Sequence, residues 1–382
     1  MGTRPMTELE RFKAVVHFER PDYWPLFAAH ALGSPHAGAL LKLHREGLPE
    51  HVRDEESWFR YWGEVTYDRG ESIGAGAPGI ESESWIEGEF EFIQYETGAR
   101  TRQVVDNDVT YSMPDFQEFH VRDRASWEKY RELTTPVRKE TAKLAEMVRR
   151  FAGRTRPLAV SCGGTWGVIR SEMGPHRALL AVHDEPDLLR EMLAHKLRVH
   201  EEFTFPVIEA LRPEIILMWE DFCYNHGMLI SPDAFREFCA PHYRRVAEVG
   251  RACGAELLIV DCDGKVDEYC LLLEEVGFNG CCPMEQVCGN DLLACRKAQP
   301  RFIFCGGIEK EVASTGNAAR IEPEIFPKVP RMLEGGGYFP MFDHALSTNL
   351  GFEEHCRCMT LLHELCGSAE LGLGEFPRMQ PG

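Results

Sequence analysis

The stretch ELLIVDCDGKVDEYC, residues 256–270, runs as an apolar strand and then breaks into Asp261-Cys262-Asp263-Gly264. Residues two apart on an extended chain face the same way, so Asp261 and Asp263 can share one site while Cys262 turns into the wall. Other apolar runs end in the same style. Glu220 and Asp221 follow EIILMW (214–219), Glu285 follows FNGCC (278–282), Gly306, Gly307, Glu309 and Lys310 follow RFIFC (301–305), and Asp343 and His344 follow YFPMF (338–342). Carboxylates and an imidazole brought together this way can transfer protons or hold a divalent cation. Asp261, His344, Glu220 and Asp221 are therefore the candidate catalytic residues, and His344 could equally serve as a metal ligand. Trp166, Arg170, Glu285, Gly307 and His30 are candidates for holding a substrate, with Arg170 suited to an anionic group and Gly307 to close backbone approach.

Each choice has a plainer counterpart. Asp263, beside Gly264, can cap the next helix; His344 can bond a loop carbonyl; Arg170 can lie on a surface loop; and His30 can be a core histidine. Cys262, Cys281, Cys282 and Cys305 read as packed wall residues, because a buried free thiol behaves as a small apolar group.

Positioning such residues requires strands that all present their carboxyl ends to one place. The second half of the chain alternates apolar runs with amphipathic stretches, the pattern of parallel strands joined by helices. LAVS (158–161) and YWPLF (23–27) extend the set of runs above toward the eight strands of a (β/α)8 TIM barrel. A doubly wound open sheet is the competitor, weakened by the lack of Gly-x-Gly-x-x-Gly after an early strand. The clearest helix starts SPDAFREFCAPHYRRVAEVGRACG, with Ser231 as N-cap, Pro232 in the first turn, Gly254 at the far end and Pro241 expected to kink or split it. Residues 81–120 alternate polar and apolar side chains around ETGA and DND turns, which predicts an antiparallel β meander inserted near the N-terminus. The expected layout is one domain over residues 1–368 and a loosely packed tail over 369–382.

The 382 residues suffice for a large core, and the formal net charge of -19 speaks against nucleic acid as a partner. No apolar stretch is long enough for a membrane span and no signal peptide is apparent, so no membrane partner is expected. Fourteen scattered cysteines without zinc-finger spacing read as reduced thiols of a cytoplasmic protein.

The segments ERFKAVVHFERPDYWPL, MGPHRALLAVHDEPDLLREML, EDFCYNHGMLISPDAFREFCAPHYRRV, DCDGKVDEYCLLLEEVGFNGCCPME, CGGIEKEVASTG and GGGYFPMFDHALS, in this order, resemble the uroporphyrinogen decarboxylase superfamily. The resemblance implies a TIM barrel. True decarboxylases are similar to one another in an arginine-bearing early segment that grips porphyrinogen carboxylates; here the region reads FAAHALGSPHAG, without arginine. The other large branch holds cobalamin-dependent methyltransferases, whose zinc site uses His-x-Cys-Gly and a later Cys; Asp261, Asp263 and the Phe342-Asp343-His344 segment stand at those places. The resemblance therefore implies a methyltransferase or demethylase that moves a methyl group from a small O- or N-methyl donor to a corrinoid carried by a partner protein. The resemblance thus makes Asp261, Asp263 and His344 the implied metal ligands, carboxylates and an imidazole that would suit a divalent metal such as zinc, and a homodimer is compatible with the family. The alternative is a cofactor-independent decarboxylase or lyase acting on a small carboxylic acid, with a catalytically silent ligand-binding protein as a third reading.

Overall fold

A computed structural model describes residues 4–28, 33–35, 37–105 and 115–379. Its centre is a parallel sheet of seven strands: β1 (Asp68–Gly70), β2 (Leu158–Ser161), β3 (Ile215–Glu220), β4 (Leu257–Cys262), β5 (Gly280–Cys282), β6 (Ile303–Cys305) and β7 (Tyr338–Phe339). Their order in the sheet is their order in the chain. A doubly wound sheet reverses its order at a switch point, so this winding favours the barrel type over the open competitor. Helices such as Trp166–Met173, Ala240–Ala252, Asp267–Glu275 and Leu292–Ala298 provide the crossovers that parallel pairing demands.

The two-residue alternation of the strands sorts their side chains into two apolar layers. Val160, Ile216, Met218, Leu258, Val260, Cys281 and Phe304 face the helices, whereas Ala159, Ile215, Leu217, Leu257, Ile259, Cys282, Ile303, Cys305 and Phe339 form an inner cluster. Phe12, Val15 and Val16 of the Glu8–Val16 helix close that inner cluster from below, with the Phe12 ring stacked on Phe339 at 5.7 Å. Phe27 lies 5.8 Å from Tyr67, next to edge strand β1, and 4.9 Å from Phe339 on edge strand β7. One aromatic residue thus packs against Phe339 of β7 and against Tyr67, the residue before β1. Main-chain pairing of the expected YWPLF strand is limited, among the described residues, to the single parallel bridge Phe27–Val65. Pro25 supplies no N–H, which a paired central strand would need.

Between β1 and β2, a four-stranded antiparallel sheet is built by Ser82–Glu87, Phe90–Tyr95, Arg100–Val104 and Asp115–Glu118, while residues 106–114, including the expected DND turn, lie outside the described residues. The ETGA turn is made, with the Tyr95 N–H donating to the Ala99 carbonyl at 2.8 Å and Gly98 at φ 86°. Ser231 caps its helix as read, and the chain absorbs Pro241 with a π-helical turn at Phe235–Cys239 before continuing as Ala240–Ala252. The tail corrects the expectation of loose packing. Phe376 is buried 5.0 Å from the Trp62 ring, and the Met379 N–H donates to Thr360 Oγ1 at 3.0 Å, so the C-terminal segment up to Met379 is tied to the body.

Candidate functional site

Alternation fixes which strand-end residues reach the inner face. Asp261 continues Leu257 and Ile259, so it ends the inner column of β4, and Cys262 turns outward into the helix-facing layer. Trp219, its register partner on β3, continues Ile215 and Leu217 and is half-buried at the same level. Sequence reasoning passed over Trp219, although the same two-residue alternation marks it.

The turn after β4 depends on Gly264. Its φ is +89°, and a Cβ there would stand 2.8 Å from the Cys223 carbonyl carbon, so a glycine is required beneath the hairpin formed by Cys223–Tyr224 and Gly227–Met228. The Gly264 N–H donates to Glu285 Oε2 at 2.7 Å. The tight turn thus carries Asp263 to the loop after β5. Asp263 does not cap the following helix, whose N-cap is Val266 without a side-chain bond; Asn290 Oδ1 instead accepts from the Val266 N–H.

Asp263, Glu285 and His344 converge, each offering one ligand atom within 4.8 Å of the other two. His344 Nε2 stands 3.5 Å from Asp263 Oδ2, and its Nδ1 is buried without a hydrogen-bond partner. The Asp263 hydrogen bond raises the His344 pKa against the opposing effect of burial. Two carboxylates and an imidazole with an orphaned ring nitrogen fit a hard or borderline divalent cation. This set replaces Asp261 of the expected ligand trio with Glu285, which the sequence had placed on the substrate. Asp261 lies beside the trio. Burial first, then the charges of Asp263 and Glu285, push its carboxyl up to about 7, with His344 pulling the other way.

Other expected site residues take different places. Glu220 shares the parity of Ile216 and Met218 and therefore points into the helix-facing layer, fully buried. It accepts from Thr165 N–H (2.5 Å) and Oγ1 (2.6 Å), from Gly167 N–H (2.8 Å) and from Tyr243 OH (2.8 Å), so it anchors the loop ahead of the Trp166–Met173 helix and has no route to a ligand. Burial raises its pKa while those four donors lower it. Trp166 opens that helix with its ring packed against Phe222 in the core and is 1% exposed, so it does not line the mouth. Arg170 and Asp221 form an ion pair with each other, which neutralises the cation expected for an anionic substrate. Gly307 is accounted for by packing, since a Cβ there would meet Leu292 Cδ1 at 2.3 Å. His30 lies outside the described residues.

Asp343 went unassigned in the sequence and is 2% exposed. Its Oδ2 accepts from the Gln286 N–H at 2.7 Å and its Oδ1 from the Lys310 N–H at 2.9 Å. Burial lifts its carboxyl to about 6 against those two bonds.

Comparison with known proteins adds to this geometry. The family profile described as "Uroporphyrinogen decarboxylase (URO-D)" matches residues 107–358, well over half of the chain. No curated protein sequence matches. Among solved structures, a methyltransferase from Methanosarcina mazei is similar at 14% sequence identity and a TM-score of 0.56, covering 94% of this chain and 98% of that chain, a likeness of fold. With the parallel sheet, the reactive groups at its strand ends and the profile match taken together, the chain belongs to the uroporphyrinogen decarboxylase family.

Proposed function

We propose that this chain is a methyltransferase of that family, moving a methyl group from a small O- or N-methyl donor to a corrinoid on a partner protein, with residues 1–368 acting as one catalytic domain. The observation that carries the reading is the Asp263–Glu285–His344 trio set beside a carboxyl, Asp261, that holds its proton near neutrality. The partner's corrinoid would supply the nucleophile. A divalent cation held by the trio would polarise the donor's leaving oxygen or nitrogen. Asp261 continues the inner column of Leu257 and Ile259, where it can hydrogen-bond that leaving atom and hand it a proton as the bond to methyl breaks. Trp219, at the same level, offers an apolar surface for the methyl-bearing end of the donor.

The charge balance of the mouth disfavours the decarboxylase alternative. Asp263 and Glu285 gather there beside Asp261, whose carboxyl keeps its proton up to about pH 7, and the nearby guanidinium of Arg170 is already engaged by Asp221. The carboxylate of a small acid would meet these two carboxylates in place of the free Arg170 guanidinium that the alternative relies on.

The test supplies reduced corrinoid with a panel of methyl ethers and methylamines and follows the corrinoid spectrum. Methylation from at least one donor is expected, and Asp261→Asn should slow it by about 100-fold or more, the range of a lost general acid. Carbon dioxide release from a carboxylated substrate, with no corrinoid methylation from any donor, would move the assignment to the decarboxylase side.

A further inference from the structure

We propose that Asp343 is the positioning residue of the cation site, a buried clamp that sets two of the three ligands without touching the cation. The inference rests on the reading of Asp263, Glu285 and His344 as a cation site. One carboxylate bonds two loops at once: Oδ2 accepts from the N–H of Gln286, the residue after Glu285, and Oδ1 from the N–H of Lys310 in the loop after β6. Asp343 also immediately precedes His344, so fixing its side chain restricts the backbone that carries the imidazole. The Asp343 N–H donates to the Ile308 carbonyl at 2.8 Å, which closes the same loop from the main-chain side. Three chain segments far apart in sequence are thereby referred to one buried point.

A neutral residue of the same size could fill the space, but only a group with two free acceptor oxygens can take both N–H donors together. Asparagine keeps one acceptor and turns an NH2 against the other donor. Outer partners of metal ligands act this way, orienting them and tuning affinity, with losses of about 10–100-fold when they are removed.

The experiment measures affinity for Zn²⁺ and Mn²⁺ by calorimetry on the full-length protein stripped of metal, alongside apo-protein thermal unfolding. Asp343→Asn should weaken binding by about 10-fold or more. A second pair of variants leaves Asp343 in place. Lys310→Met removes the lysine charge but keeps the N–H, whereas Lys310→Pro removes both, at the first position of the Lys310–Ala313 turn where proline fits the backbone. Lys310→Pro should bind more weakly than Lys310→Met. Asp291→Ala serves as a control for plain destabilisation, since Asp291 caps the Leu292–Ala298 helix through the Leu293 and Ala294 N–H groups; its affinity should match wild type. Wild-type affinity in Asp343→Asn, or equal affinities in the two Lys310 variants, would overturn the clamp while leaving the cation site standing. A wild-type protein that binds neither ion would remove the site itself, and the clamp with it.

Discussion

Asp261 ends the inner column of β4, and what surrounds it keeps its proton on. A carboxyl raised from the ordinary 3.8 to about 7 in the folded chain binds its proton more tightly than in the unfolded chain. The resulting stability is fully present below pH 4 and is lost as pH rises through 7. In metal-free protein, Asp261→Asn should therefore gain on wild type as pH goes from 5 to 8, by about 3 kcal/mol at most, the share of the shift that lies between pH 5 and about 7. Urea unfolding at the two pH values checks the sign; a wild type that instead gains on the variant at high pH would contradict the burial of this carboxyl. At this scale the inward placement of Asp261 was legible, because the period of two is written in Leu257, Ile259 and Asp261. The same period would have sent Glu220 to the helix side. Glu285 as a ligand was not legible: its neighbours Asp263 and His344 stand 22 and 59 positions away, and only the closed turn at Gly264 shows that they meet.

The elements that deliver these residues are short, and their turns are demanding. Gly264→Ala would press a methyl group on the Cys223 backbone at a positive φ, so the β4 turn would have to shift and its N–H would leave Glu285. We expect a loss of about 2 kcal/mol in unfolding free energy, together with weaker cation binding. Stability unchanged within about 0.5 kcal/mol would show that the turn relaxes freely. Strands rich in branched and aromatic residues announced themselves in the sequence, and β2 begins and ends as read. β1 did not, because Asp-Arg-Gly carries no apolar run and pairs only through its backbone with Leu158–Val160. Read as a strand, YWPLF makes one bridge. Its hydrophobicity is used for packing Leu26 and Phe27, and Pro25 denies it a ladder.

Across the described residues, titration at acid pH centres on five histidines. His195, His200, His242, His355 and His363 are held neutral by burial, with pKa values pushed down to about 4, 4, 3, 3 and 4. An unfolded histidine takes up a proton near 6.5, so each contributes stability above that pH and withdraws it as pH falls toward the folded value, at up to about 1.4 kcal/mol per pH unit. The urea midpoint should drop steeply between pH 6.5 and 5. His355→Phe should flatten part of that slope, because the imidazole has no hydrogen-bond partner on either nitrogen and sits 4.3 Å from the Trp62 ring and 5.2 Å from Phe342, where a phenyl ring belongs equally well. An unaltered slope in that variant would mean that His355 is not buried neutral.

The helix that seals the inner cluster from below also has a kinetic meaning. Phe12 stacks on Phe339, a partner more than 300 residues later in the chain. During synthesis the Glu8–Val16 helix emerges long before β7 exists, so Phe12 can meet Phe27, 5.6 Å away, early in synthesis but Phe339 only late. Contacts of such sequence separation slow folding and leave apolar surface open to other chains in the interval. The Phe12–Phe339 contact in the floor beneath the reactive mouth can therefore close only after β7 has been made.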